Sequence, residues 1–268
     1  MLLVCPPAAQ AKPRVVAQLM EDLFIFELQK NVLLVRHSYP WPANSLLVRL
    51  NRAHWVWADT PYTPQAARLV IKWLYIKYGE HIRITEINTG FHIDNLGGNG
   101  ELKKWKIPIY GSALTCELLR TKSGDTMRKM LSWLRGPENK KYADVYRSFV
   151  FSAPTHRFDI GKTQTLRLGG AAVEIFFPGP THTYDNVVVY IPSQRVLFGG
   201  CMVLALDATS PGYTEDGNLR EWPRSLAKVR RRYDRAALVV PGHGDAGGLD
   251  LIDHSIHVLE QSGRQAEE

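Results

Sequence analysis

Short apolar blocks alternate with polar stretches along the chain, and glycine, proline and asparagine separate them. Val32-Leu33-Leu34-Val35, the segment 45–50 and Trp55-Val56-Trp57-Ala58 read as strands, the last stopping at Asp59-Thr60-Pro61. A helix follows. Thr63 can cap it, Pro64 suits its first turn, Gly79 ends it, and Ala67, Val70, Ile71, Leu74 and Tyr78 share one face. Ile82, Ile84 and Ile87 then lead a strand into the segment 89–94. Residues 112–147 are polar and helix-prone, with a break at Gly136-Pro137. Val173, Ile175 and Phe177 alternate as in a strand and stop at Pro178-Gly179-Pro180. Val187-Val188-Val189-Tyr190 is continuously apolar, as expected of a strand covered on both faces. The segments 195–198 and 237–240 are further short strands. Trp222, Leu226, Val229 and Tyr233 recur at helical spacing, and a final helix begins near Asp250. Strands interleaved with helices, and no repeat or linker, predict one α/β domain.

Composition narrows the picture. The 268 residues suffice for one large domain with a substantial core, and no run of eighteen apolar residues predicts a membrane span. The formal net charge of +7 raises nucleic acid as a partner. The basic residues are dispersed, however, and the densest cluster, Arg230-Arg231-Arg232, ends a predicted helix, where cations complement the helix dipole. A small-molecule substrate, no nucleic acid and no membrane are therefore expected, with a monomeric chain.

The N-terminus has its own pattern. Met1-Leu2-Leu3-Val4-Cys5 is apolar, and Ala9-Gln10-Ala11 has the small-x-small form of a signal-peptidase site. Residues 1–11 are read as a signal-peptide remnant and 12–268 as the catalytic domain, which predicts a periplasmic or secreted protein. Only Cys116 and Cys201 would then remain, too few for a disulfide framework.

Four predicted strands run into candidate metal ligands: one into His92 and Asp94, one into His182, one into Cys201 and one into His243. Ligands on loops just past strand ends can converge at one rim of a sheet, and each of these histidines taken alone is weak evidence. His37, His54, His81, His156, His254 and His257 lack that setting and are assigned to structure or surface. A carboxylate, a thiolate and an imidazole supply three ligands and leave one position open, as a catalytic zinc requires. Asp94, Cys201 and His243 form that full site, and His92 and His182 an incomplete second one.

At these positions the chain resembles the metallo-β-lactamases. The resemblance rests on Asn88-Thr89-Gly90-Phe91-His92-Ile93-Asp94 with Leu96-Gly97-Gly98-Asn99, on 179–183 with 185–190, on Gly199-Gly200-Cys201 and on Pro241-Gly242-His243. It covers most of residues 20 to 258. It implies an αββα sandwich with a zinc groove at one edge, and hydrolysis of the β-lactam amide. The cysteine ligand, and Asn95 directly after the motif aspartate, distinguish the chain from glyoxalase-like, lactonase-like and nuclease relatives.

Three departures shape the expected chemistry. Gly90 stands where two-zinc relatives of the cysteine type have histidine and the mono-zinc, carbapenem-selective subclass has asparagine. One tightly bound zinc is therefore expected, with a second weak or absent, and a preference for carbapenems. Leu204 stands where many relatives have a lysine that grips the substrate carboxylate. Tyr213 stands where relatives often have an asparagine, and its hydroxyl is a candidate to polarise the carbonyl. His92, Asp94 and His182 are the catalytic candidates, with His92 or Asp94 as general base. Two other readings stand beside this one: a lactone or thioester hydrolase of the same fold, and a zinc-binding homologue without catalysis.

Overall fold

A computed structural model describes residues 13–265. The signal-peptide reading of residues 1–11 lies outside the described residues. Eight strands form the first sheet in chain order: β1 (Arg14–Met20), β2 (Leu23–Gln29), β3 (Val32–Ser38), β4 (Pro42–Arg49), β5 (His54–Ala58), β6 (Arg83–Ile87), β7 (Ile109–Ser112) and β8 (His156–Phe158). The strands β1 to β5 pair antiparallel and β5 to β8 parallel. The second sheet holds β9 (Gln164–Leu168), β10 (Ala171–Phe176), β11 (Val188–Ile191), β12 (Val196–Gly200) and β13 (Leu238–Pro241), in the order β13-β12-β11-β10-β9.

The two sheets pack face to face, and alternation along the strands sorts side chains into three layers. Val32 and Leu34 of β3 join Val189, Ile191 and Phe198 between the sheets. Leu33 and Val35 point the other way, against Ala67, Val70, Ile71 and Leu74 of helix α1 (Pro64–Tyr78). Val188 and Tyr190 face helices α6 (Trp222–Arg232) and α7 (Asp250–Gln265), meeting Trp222, Leu226 and Leu251. The continuous apolar run at 187–190 is thus a strand covered on both faces, and the whole is the expected αββα sandwich. Each such side chain withdrawn from water contributes roughly 1.5–3 kcal/mol.

The Thr63 hydroxyl accepts from Ala66 N–H at 3.2 Å and starts α1, and Gly79 ends it at φ 92°, a left-handed conformation that suits glycine. The polar middle becomes α4 (Ala113–Trp133), a short 3-10 turn at 137–139 and α5 (Lys140–Arg147). Between β6 and β7 lie the short α2 (Ile93–Leu96) and α3 (Asn99–Lys104). The strand that leads into 89–94 ends at Ile87, and Asp94, expected on a loop just past the strand end, sits in the first turn of a helix. The carbonyl of Asn95 accepts from Thr60 N–H, and Thr60 Oγ1 accepts from Gly98 N–H, which ties α2 to the loop after β5 and away from strand geometry. Among the described residues no helix is long and apolar enough to cross a membrane.

Candidate metal centre

Cys201 and His243 leave adjacent strands of one sheet. β12 and β13 are parallel neighbours, and Gly242 N–H donates to Gly200 O at 2.7 Å just beyond them. A Cβ on Gly242 would lie 2.7 Å from Cys201 N, so only glycine permits this approach. Asn44 of β4 clamps the same turn. Its backbone N–H donates to Gly242 O at 2.8 Å, and its amide donates to Pro241 O and Gly244 O.

Asp94 meets these two residues at the rim. His243 Nε2 lies 3.2 Å from Asp94 Oδ2, Cys201 Sγ lies 3.3 Å from the same oxygen, and Cys201 Sγ and His243 Nε2 are 3.8 Å apart. Zinc bonds of about 2.0 Å to oxygen and nitrogen and about 2.3 Å to sulfur give a tetrahedron with edges of about 3.3–3.6 Å. The three donor atoms already stand near those spacings. His243 Nδ1 donates to Pro42 O at 2.7 Å, which orients the ring and turns Nε2 towards Asp94 and Cys201, where a metal ion would replace its proton. The donor set and its spacing fit zinc. Among the described residues this is the one group of three or more histidine, cysteine or acidic side chains close enough to hold a metal ion.

Electrostatics agree with a cation-binding site. Burial opposes ionisation of Asp94, but the hydrogen bond and charge of His243, aided by His92 and His182, hold its carboxyl well below the usual range. Burial pushes the Cys201 thiol well up, with Asp94 and Asp59 adding to the effect. The sulfur therefore keeps its proton until a cation replaces it, and metal binding releases that proton.

A layer of buried groups supports the ligands. The Asp59 carboxylate accepts from Thr89 N–H and Thr89 Oγ1–H, each at 2.7 Å, and from the Asn95 amide at 2.8 Å. Asn95 also donates to Cys201 Sγ at 3.5 Å.

His92 and His182 meet edge to face beside this centre, with ring centroids 5.1 Å apart. His92 Nε2 donates to Asp216 Oδ2 at 3.1 Å, leaving Nδ1 as the bare ring nitrogen. Burial lowers the pKa of His182 to about 3, and the neighbouring His92 adds to that. Among the described residues no third imidazole forms a metal-holding group with this pair. A Cβ on Gly90 would lie 2.5 Å from Asn186 Nδ2 and 3.0 Å from Asn95 Oδ1, so two buried amides close the place where a side chain at position 90 would begin. The five predicted residues all line one cavity of about 620 Å³.

Helix α4 and the loop before α6 complete the cavity walls. Trp133 of α4 meets Trp41 edge to face at 5.9 Å and Tyr213 at 5.4 Å. The Tyr213 hydroxyl donates to Asp216 Oδ2 at 2.9 Å, so its one proton points to Asp216 and not to a bound carbonyl. Leu204 contributes to an apolar wall with Val203 and Ala205. The sequence did not single out Asp216, Asn44, Asp59 or Lys129. Asp216 stands three residues after Tyr213 in a loop without periodicity, and Lys129 is one of two lysines on a polar helix.

Comparison with known proteins places this two-sheet sandwich in one family. The Metallo-beta-lactamase superfamily description matches residues 38–243.

The chain belongs to the metallo-β-lactamase superfamily.

It is 29% identical to the type 2 metallo-beta-lactamase of Bacteroides fragilis over 82% of its own length and 76% of that protein. It is 30% identical to the type 2 enzyme of Bacillus cereus over 82% of its length and 73% of the relative. Among solved structures, the metallo-beta-lactamase from Pontibacter korlensis superposes with a TM-score of 0.73 at 28% identity, covering 89% of this chain and 99% of that one. The superfamily match starts at the end of β3 and stops at His243, so it spans every residue of the metal centre.

Proposed function

We propose that this chain is a zinc-dependent hydrolase that opens the β-lactam amide, with one zinc held tightly by Asp94, Cys201 and His243. The observation that carries this reading is the spacing of those three donor atoms, with His243 already turned by Pro42 to offer Nε2. Bound there, zinc would supply Lewis-acid stabilisation of the nitrogen anion that forms as the amide breaks.

The chain's own groups do the rest. His92 is the general base. The Asp216 carboxylate at Nε2 stabilises the imidazolium that forms when Nδ1 takes a proton from the attacking water. Asp94 is one of the three groups proposed to hold the zinc, so its carboxylate is already engaged there. His182 fixes the other side of the water site. Trp41 and Trp133, each nearly half exposed, form an aromatic rim where apolar substrate groups can rest.

The incomplete imidazole pair and the closed position at Gly90 favour a single tight metal, the mono-zinc type and with it a preference for carbapenems. Export to the periplasm or beyond the cell belongs to this proposal, and the small-x-small pattern at Ala9-Gln10-Ala11 supports it. A zinc titration with carbapenem, penicillin, cephalosporin and lactone assays in parallel tests the reading. One equivalent of zinc should restore full β-lactam turnover. Turnover of the lactone alone, or of nothing at full zinc occupancy, would overturn it.

A further inference from the structure

The cavity contains one lysine or arginine side chain among the described residues, Lys129 of α4. The wall next to Cys201 is apolar, formed by Val203, Leu204 and Ala205, and the acidic Asp207 lies further along it. An anionic group entering the cavity therefore has one lysine and no arginine to meet among the described residues.

Lys129 is held in place by its surroundings. Its Nζ donates to the Tyr213 hydroxyl at 3.0 Å and lies 5.3 Å from the centre of the Tyr213 ring. Through Tyr213 and Asp216 it is three hydrogen bonds from His92, so it sits beside the reacting groups and not at a distant rim. Its second partner is Glu215, which forms an ion pair with it. That partner is a weak competitor. The Glu215 side chain is 64% exposed, and an exposed ion pair of this kind is screened by water and stabilises little. Two of the three ammonium protons have partners within the protein, which leaves one for a ligand.

We infer that Lys129 is the residue that recognises the carboxylate of the substrate, and that Glu215 is its internal counter-ion, displaced when an anionic substrate binds. This rests on the β-lactam reading, since bicyclic β-lactams carry a carboxylate close to the ring nitrogen. It assigns to a helix on the far side of the chain's sequence the task that Leu204 cannot perform. Its particular consequence is that substitutions at the two partners act with opposite sign.

The experiment compares benzylpenicillin with its methyl ester on the zinc-loaded protein and on the Lys129→Met, Lys129→Arg and Glu215→Gln variants. The three changes lie on one half-buried and one exposed side chain, and a melting curve checks folding. Lys129→Met should raise KM for the acid about tenfold, the worth of one charge-assisted hydrogen bond, with kcat within about threefold of wild type. It should leave KM for the ester unchanged and so remove the preference for the acid. Lys129→Arg should retain most of that preference. Glu215→Gln should lower KM for the acid by about two- to fivefold, as expected for loss of an exposed competitor. Equal losses of kcat on acid and ester with unchanged KM would place Lys129 at the reacting carbonyl and overturn the assignment, as would a Glu215→Gln variant with a raised KM.

Binding is read separately by quenching of tryptophan fluorescence, since Trp41 and Trp133 line the cavity. If wild type turns over no β-lactam, the proposed reaction fails. Tighter binding of the acid than of the ester, lost in Lys129→Met, would still support anion recognition at Lys129, and equal binding of the two by wild type would overturn it.

Discussion

His92 Nε2 and Asp216 Oδ2 are 3.1 Å apart, and both side chains are largely withdrawn from solvent. The hydrogen bond to His92 is the main reason the Asp216 carboxyl falls to about 2, so Asp216 remains a carboxylate throughout the pH range in which the enzyme works. An imidazole backed by a carboxylate has one fixed tautomer and a stabilised protonated form. Asp216→Asn removes the charge but keeps the shape. We expect kcat to fall by about 10- to 100-fold with KM nearly unchanged, which is the usual effect of losing such a partner. A loss confined to KM would show that Asp216 only shapes the cavity.

Cys201→Ser tests the metal centre itself. A serine hydroxyl is neutral at ordinary pH and is a poorer zinc ligand than a thiolate, and the burial that raises the Cys201 thiol would keep a serine protonated as well. Zinc retained after dialysis should fall well below one equivalent, and turnover should nearly vanish. Metal analysis and activity measured on the same sample decide it. Full metal with full activity would mean the centre lies elsewhere.

The sequence made the five rim residues legible because each stands in a short motif beside a glycine or proline, and those backbone signals survive without three-dimensional context. The central strands were legible for a similar reason: residues 187–190 could only be covered on both faces. Strands β1 and β2, by contrast, went unread. Much of β1 is partly exposed at the edge of the sheet, so its burial does not enforce strict alternation. The supporting groups were hidden for a different reason. Asn44 acts on a turn about 200 residues away, and nothing local distinguishes it from any polar residue in a strand. Position 90 is the sharpest case. The motif showed that an imidazole was missing, but only the fold reveals that Asn186 and Asn95 stand where its Cβ would be.

His37 gives a prediction about stability and pH. It is buried at 1% exposure, its ring stacks on Tyr39 at 5.2 Å, neither ring nitrogen has a hydrogen-bond partner, and burial lowers its pKa to about 4. The unfolded chain, with an ordinary histidine value near 6.5, binds the proton at higher pH than the folded one. Stability from this residue is therefore complete above about pH 6.5 and is lost as pH falls towards 4. At pH 5 the loss should be about 2 kcal/mol relative to pH 8. Urea unfolding of wild type and His37→Phe at both pH values, each with chelator present, isolates this contribution. The difference between the two proteins should shrink or reverse at pH 5, and a constant difference would show that His37 is protonated in the fold.

The last prediction concerns Gly90. Judged from the motif alone, Gly90→His should restore a three-histidine site and tighten a second zinc. The packing argues for the opposite outcome. The new Cβ would lie 2.5 Å from Asn186 Nδ2, far inside normal contact. Asn186 cannot simply turn aside, because its Oδ1 accepts from Thr183 N–H at 2.7 Å and from Thr181 Oγ1–H at 3.2 Å, and its amide nitrogen donates to Thr89 O. Moving it would leave buried polar groups unpaired, at a cost of about 1–3 kcal/mol. Backbone conformation is not the obstacle, since Gly90 is absent from the positive-φ glycines. We therefore expect Gly90→His and Gly90→Ala both to lower the melting temperature by several degrees, since about 1 kcal/mol moves it by roughly 2–4 °C in a domain of this size. Neither should retain more than one zinc after dialysis. Gly90→Ala is the informative control, because it adds the Cβ without an imidazole. If Gly90→His melts like wild type and keeps two zinc ions, Asn186 yields readily and position 90 does face the metal.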